Sequence, residues 1–117
     1  MLLYESIPMY SSSVPWKVLS SNVSVNVLTE GWNLACPEAG AEEEIRMFSM
    51  YVAFDAPFLE VPVVQLGLSG FDIDQRDSAR LIVKAESITE YGFQATLTTW
   101  AGTRVYAAEF NWIAIGP

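Results

Sequence analysis

Apolar and polar residues alternate with a period of two along much of the chain, and no stretch shows the spacing of a helix. Val23, Val25 and Val27 share one face of the segment 18–28, with polar residues between them. This alternation predicts a β-strand with one buried face. The same reasoning predicts five further strands, at Ile45–Phe54, Pro62–Leu68, Arg80–Glu86, Phe93–Thr99 and Arg104–Ile115. Six short strands separated by turn residues predict an all-β fold, an antiparallel sandwich or barrel.

Residues 1–17 differ from the rest and are predicted to form an N-terminal arm. Three serines at 11–13 make a flexible stretch, and Val14-Pro15 gives it an extended end. The apolar residues before the serines are unusual for a free tail, so we expect the arm to dock onto another object or to cover its own domain. The rest of the 117-residue chain, 18–117, suits one domain with a substantial core, since 51% of the residues are apolar.

Composition excludes several classes of function. The net charge of −8 argues against binding to nucleic acid or to anionic membranes, which need a basic surface. The chain has no histidine, which removes histidine-based catalytic triads and imidazole metal sites. Cys36 is alone, so it forms no disulfide within the chain and no thiolate zinc cluster, and without a base it is not expected to be a nucleophile. We therefore expect no cofactor and no metal.

The N-terminal sequence does not resemble a targeting segment. It carries an early Glu5 and Pro8 and lacks both a basic start and a long apolar run, so it predicts no secretory signal. No segment approaches the roughly 20 consecutive apolar residues of a transmembrane helix. We expect a soluble protein that is made in the cytoplasm and acts outside the cell or on a phage-like particle.

Two side chains are candidates for ligand binding. Trp100 ends a predicted strand beside a glycine-containing turn, where its ring either packs in the core or offers a flat apolar face to a sugar. Arg80 begins another strand, and its five N–H groups either bridge sugar hydroxyls or pair with a surface carboxylate. Trp112 and Phe93, by contrast, are expected in the core.

Two acidic stretches are harder to interpret. The run Glu42–Glu44 closes a loop and is typical of a solvated surface, although a carboxylate beside an arginine and a tryptophan would suit sugar hydroxyls. Asp72, Asp74 and Asp77 suggest calcium, but the EF-hand pattern fails because Arg76 takes a ligand position and the glycine and final glutamate are missing. A turn whose carboxylates cap its own backbone is the favoured interpretation.

The motifs of the C-terminal half are similar to those of the H-type lectin domain, which occurs in snail agglutinins and in the C-terminal half of discoidins. The resemblance covers residues 18–117 and is most specific in the second half. The residues that carry it are Pro62–Val64, Leu66–Asp74, Arg80, Gly92-Phe93, Thr99-Trp100, Thr103–Tyr106 and Trp112–Ile115.

The resemblance implies a six-stranded antiparallel β-sandwich that forms a homotrimer. Family members bind terminal galactose or N-acetylgalactosamine in clefts between protomers, through an arginine that falls on Arg80 and aromatics that fall on Trp100 and Tyr106. The family's loop aspartate falls on Glu43, which is one methylene longer. Two further family positions differ, with Ala41 at a glycine and Ala101 at a frequent histidine.

The resulting hypothesis is a non-enzymatic, trimeric carbohydrate-binding domain whose arm attaches it to a larger particle or fibre. Glu43 and Arg80 would hydrogen-bond the sugar, and Trp100 with Tyr106 would form the apolar platform. Two alternatives stay open: a structural trimer module without a functional sugar site, and a glycosidase built on a pair of carboxylates.

Overall fold

The computed structural model describes residues 15–37 and 44–117, and it forms six β-strands with no helix in those residues. The strands are β1 Lys17–Asn26, β2 Arg46–Ala53, β3 Val63–Ile73, β4 Ile82–Glu86, β5 Gly92–Thr99 and β6 Val105–Gly116. The all-β prediction is therefore confirmed. The arm predicted over residues 1–17 lies outside the described residues as far as residue 14, and so does Glu43.

Each of the two sheets has three antiparallel strands. The order is β1-β6-β3 in one sheet and β2-β5-β4 in the other. The central strands β5 and β6 are the most deeply buried, because each is flanked on both edges and covered on its inner face. The strand spacing predicted an antiparallel sandwich or barrel, and the structure confirms the six-stranded sandwich that the family resemblance implied.

Aromatic rings fill the space between the sheets. Phe54 contacts Phe58, Phe93 and Trp112, and Phe93 also contacts Trp112, with ring centroids 5.1–5.9 Å apart in tilted or edge-to-face geometry. Along β6, inward residues alternate with exposed ones, so that Phe110 and Trp112 are buried while Asn111 is exposed. Phe93 and Trp112 are thus core residues, as predicted, and their burial stabilises the sandwich through apolar area removed from water.

Three strand boundaries differ from the prediction by two residues or more. The fourth strand begins at Ile82 and not at Arg80, which lies in the preceding loop. The first strand ends at Asn26, whose carbonyl and side chain accept hydrogen bonds from Thr29 and Leu28, and Val27 therefore lies in a turn and is half exposed. The third strand continues past Leu68 to Ile73, with a β-bulge between Leu68 and Gly70. Pairing with β6 holds this continuation, which includes Ser69, Gly70 and Asp72, in the sheet.

In the described part of the chain, no helix is long and apolar enough to cross a bilayer.

Candidate functional site

The turn from β5 to β6 organises the region around Arg80. Ala101 adopts a left-handed backbone conformation with φ of 56°, and Thr103 N–H donates to the Trp100 carbonyl over 3.4 Å. Thr103 is fully buried, and its hydroxyl donates to the Ser78 carbonyl over 2.6 Å. The same hydroxyl accepts a hydrogen bond from Arg80 Nη1 over 2.8 Å. Thr103 therefore joins Arg80 to the turn that carries Trp100.

Arg80 lies just before β4, with a partly exposed side chain. Thr99 Oγ1 donates to the Arg80 carbonyl over 2.5 Å, which fixes its backbone against β5. Arg80 Nη1 also lies 3.5 Å from Asp77 Oδ1, and the Arg80 side chain is 25% exposed. Both side-chain contacts use Nη1, so within the described residues Nε and Nη2 keep their N–H groups for a ligand. Trp100 is also partly buried.

A second arginine, Arg46, supports the same turn from inside the sandwich. It is 8% exposed and donates to the carbonyls of Leu34, Ala101 and Thr103 over 3.1, 3.0 and 2.7 Å. Burial lowers the pKa of Arg46, and the charge of Arg104 lowers it further. The hydrogen bonds to three carbonyls offset part of the cost of burying this charge.

The role of Arg46 was missed in the sequence, although a signal for it exists. Arg46 falls on the same face of β2 as Phe48 and Val52, because every second residue of a strand points to the same side. A charged residue in register with core residues indicates a buried ion that needs several acceptors.

Tyr106 belongs to a neighbouring cluster. Its hydroxyl donates to Asp74 Oδ2 over 3.0 Å, and Asp74 also forms an ion pair with Arg76. The Arg76 hydrogen bonds hold the pKa of Asp74 well below its usual range, and the hydrogen bond to Asp74 raises the pKa of Tyr106. The hydrogen bonds of the structure thus join Arg80 to the Trp100 turn, and Tyr106 to Asp74.

The acidic loop includes the undescribed residues 38–43, and the described residues on both sides of it lie beside this turn. Glu43, the proposed counterpart of the family aspartate, lies outside the described residues. Before the loop, the Leu34 carbonyl accepts from Val105 N–H over 2.7 Å as well as from Arg46. After it, Arg46 pairs with Thr99 in the sheet. Both described ends of the loop are therefore anchored close to Trp100 and Thr103.

Between those two ends lies a cavity of about 270 Å³ that contains the single cysteine. It is lined by Asn33, Cys36, Glu44, Ile45, Arg46 and Met47. Cys36 is exposed, and its sulfur accepts a hydrogen bond from Arg104 Nη1 over 3.3 Å. A guanidinium cannot remove the thiol proton, so this contact supplies no general base.

The three aspartates near the end of β3 do not form a cation site. Asp72 lies on β3, whereas Asp74 accepts from Arg76 N–H over 2.9 Å and Asp77 accepts from Ser78 N–H over 2.7 Å. These contacts confirm the predicted capping of the turn by its own carboxylates. Among the described residues, no group of three or more acidic, cysteine or histidine side chains could hold a metal ion.

The structure is a six-stranded antiparallel β-sandwich in which Arg80 is joined through Thr103 to the turn that carries Trp100. The chain belongs to the H-type lectin domain family, whose model matches residues 49–115. This membership supports carbohydrate binding in general.

Two curated relatives match over 71 residues each. The first, "ATP synthase subunits region ORF 7" of Fuscovulum blasticum, is 39% identical over 61% of this chain and 62% of its own length. The second, Discoidin-2 of Dictyostelium discoideum, is 34% identical over 60% of this chain and 28% of its own length. The matches thus span less than two thirds of either relative.

Solved structures show the same fold. Wild-type discoidin II from Dictyostelium discoideum superimposes with a TM-score of 0.72 at 28% identity, over 93% of this chain and 39% of that one. The tailspike of Pseudomonas phage phi297 superimposes with a TM-score of 0.56 at 13% identity, over 91% of this chain and 16% of the tailspike. At that identity the tailspike shows a shared fold alone.

Proposed function

We propose that the chain is a non-enzymatic carbohydrate-binding domain that recognises terminal galactose or N-acetylgalactosamine in clefts between the protomers of a homotrimer. The observation that carries this proposal is the Arg80 guanidinium, which is held by Nη1 and, among residues 15–37 and 44–117, keeps its other donors for a ligand. Family membership gives that geometry its interpretation.

Each proposed site residue has a distinct chemical part. Arg80 would donate to sugar hydroxyls through its remaining N–H groups, and Glu43 would accept hydrogen bonds from them. Trp100 would offer its ring face to the apolar C–H face of the sugar, and Tyr106 would complete the platform. We propose a lectin and not a glycosidase because the chain belongs to a lectin domain family.

The outer face of the β1-β6-β3 sheet supports the trimer. Val18 and Val63 both pair with Ile115 in the sheet register, and Ile113 lies two residues away on the same strand. Val18, Val63 and Ile113 are exposed by 58, 47 and 37%. Adjacent exposed apolar side chains are suited to a contact between protomers. Three weak sites on one trimer would also gain avidity on a glycan-covered surface.

A glycan array tests the sugar proposal directly. We expect the wild-type protein to bind terminal galactose-type glycans, and Arg80→Ala and Trp100→Ala each to lose the signal. Lys84→Ala removes a cation on β4 outside the proposed site and serves as the control, with binding expected to be retained. Wild-type protein without glycan signal, or signal unaffected by both site changes, would overturn the proposal.

Light scattering tests the trimer separately. We expect about three times the monomer mass of 13.0 kDa at micromolar concentration. A monomer mass under those conditions would contradict a site built between protomers. Turnover of a chromogenic galactoside would revive the glycosidase alternative.

A second candidate is a structural trimer module that a larger particle carries through residues 1–17. The fold shared with a phage tailspike favours it at the level of architecture only. Deleting residues 1–14 leaves β1 intact from Lys17 and separates the two functions. Loss of particle assembly, in a protein whose full-length form never binds glycans, would favour the structural module.

A further inference from the structure

The loop between β3 and β4, residues 74–81, contains Arg80 of the proposed sugar site and contacts a second site residue, Tyr106. Tyr106 comes from β6 in one sheet, and Arg80 leads into β4 in the other. Asp74 and Asp77, three residues apart in this loop, each accept a contact from one of them. Neither aspartate is among the residues that the sequence assigned to sugar binding.

Asp74 determines how the Tyr106 hydroxyl can be used. The carboxylate accepts the phenolic proton over 3.0 Å, and the Asp74 side chain is only 12% exposed. Asp74 also accepts from Arg76 N–H and from its guanidinium, so its orientation is fixed by several donors. A phenol has one proton and two acceptor lone pairs. With that proton given to Asp74, Tyr106 offers a ligand only acceptor capacity.

Asp77 acts on Arg80 in a comparable way. Its carboxylate faces Arg80 Nη1 on one side and lies against Gly102 on the other, where a Cβ atom would collide with Asp77 Oδ2. Gly102 therefore lets the turn approach the loop closely. Together with the Thr103 hydroxyl, Asp77 confines one end of the guanidinium.

We propose that Asp74 is a positioning residue that makes Tyr106 a hydrogen-bond acceptor, so that the phenol accepts from a donor of the sugar, a hydroxyl or an acetamido N–H. Asp77 has the parallel role of orienting Arg80. This inference rests on the proposed function, because it concerns how that same site holds its sugar.

A double-mutant cycle between Asp74 and Tyr106 tests the inference. Calorimetry on the full chain would measure the Kd of N-acetylgalactosamine for wild type, Asp74→Ala, Tyr106→Phe and the double variant. We expect Asp74→Ala to weaken binding about three- to tenfold, the usual size of one hydrogen bond. In the Tyr106→Phe background the same change should have no further effect.

Two controls separate positioning from general damage. Asp72→Ala removes a neighbouring exposed carboxylate on β3 and should leave Kd unchanged. Asp74→Asn keeps the shape and one acceptor oxygen, so it should restore part of the affinity and remain folded if Asp74→Ala does not. Equal effects of Asp74→Ala in both Tyr106 backgrounds would overturn the inference.

A spectroscopic readout tests the hydrogen bond without any sugar. With ¹³C-labelled tyrosine, the Tyr106 Cζ resonance is the one missing in Tyr106→Phe, and its titration follows phenol ionisation. We expect ionisation at lower pH in Asp74→Ala than in wild type, since the neutral phenol loses its acceptor. An unchanged titration would overturn the inference.

The two proposals fail in different ways. Wild-type protein that binds no sugar would overturn the proposed function and, with it, the ligand role of Asp74. Wild-type binding that Asp74→Ala leaves intact would overturn the positioning role alone.

Discussion

Arg46 and Arg80 both contact the turn between β5 and β6, but Arg46 is buried in the sandwich and Arg80 is partly exposed. The inner arginine donates to three main-chain carbonyls, and the outer arginine contacts a hydroxyl and a carboxylate. Both arginines donate to Thr103: Arg46 to the Thr103 carbonyl and Arg80 to the Thr103 hydroxyl. An arginine surrounded by backbone acceptors has a structural role, whereas one that retains free donors at the surface can bind a ligand.

The largest expected effect is the loss of stability on replacing Arg46, the buried arginine. Arg46→Ala would remove the guanidinium donor of the Ala101 and Thr103 carbonyls and one of the two donors of the Leu34 carbonyl, and we expect a loss of about 3 kcal/mol or more in unfolding free energy. Urea denaturation followed by tryptophan fluorescence would measure it. Arg80→Ala is the matched control and should cost about 1 kcal/mol or less. Equal losses in the two variants would contradict the division of roles between these arginines.

Thr103→Val tests the contact with Arg80 without removing the contact with Arg46. The change keeps the shape and the carbonyl that Arg46 uses, but it removes the hydroxyl that contacts Ser78 and Arg80. We expect a loss of about 1–2 kcal/mol in stability. Sugar binding should also weaken severalfold, because Arg80 loses one of its two restraints. Stability measured by denaturation and Kd measured by calorimetry would give both numbers. A variant with unchanged Kd would show that Arg80 does not depend on Thr103.

The smallest expected effect concerns pH and Asp74. The pKa of Asp74 is lower in the folded protein than in the unfolded chain. As pH falls, the carboxylate of the unfolded chain therefore takes up its proton at a higher pH than that of the folded protein, which favours unfolding. The resulting contribution to stability is present at pH 7 and is lost as pH falls below the ordinary aspartate value of about 3.9. The Tm difference between wild type and Asp74→Asn should therefore shrink between pH 5 and pH 2. A difference that stays constant over that range would argue against a depressed pKa.

Strand positions and family membership could be predicted from the sequence because both depend on local spacing. Alternating side chains on β6 point Phe110 and Trp112 into the core whatever their distant partners are. The family motif includes Arg80, Trp100 and Tyr106, so those residues could be proposed as a set. The end of β1 at Asn26 and the extension of β3 to Ile73 were not predictable, because turn hydrogen bonds and pairing with β6 decide them.

The sequence by itself determined an all-β domain of the H-type lectin family and a short set of candidate sugar-binding residues. Only the tertiary structure decided which side chains restrain the site. Thr103 lies 57 residues from Arg46 and 23 from Arg80, and Asp74 lies 32 residues from Tyr106. Partners so far apart leave no local pattern, because they meet only when the sheets and their loops come together.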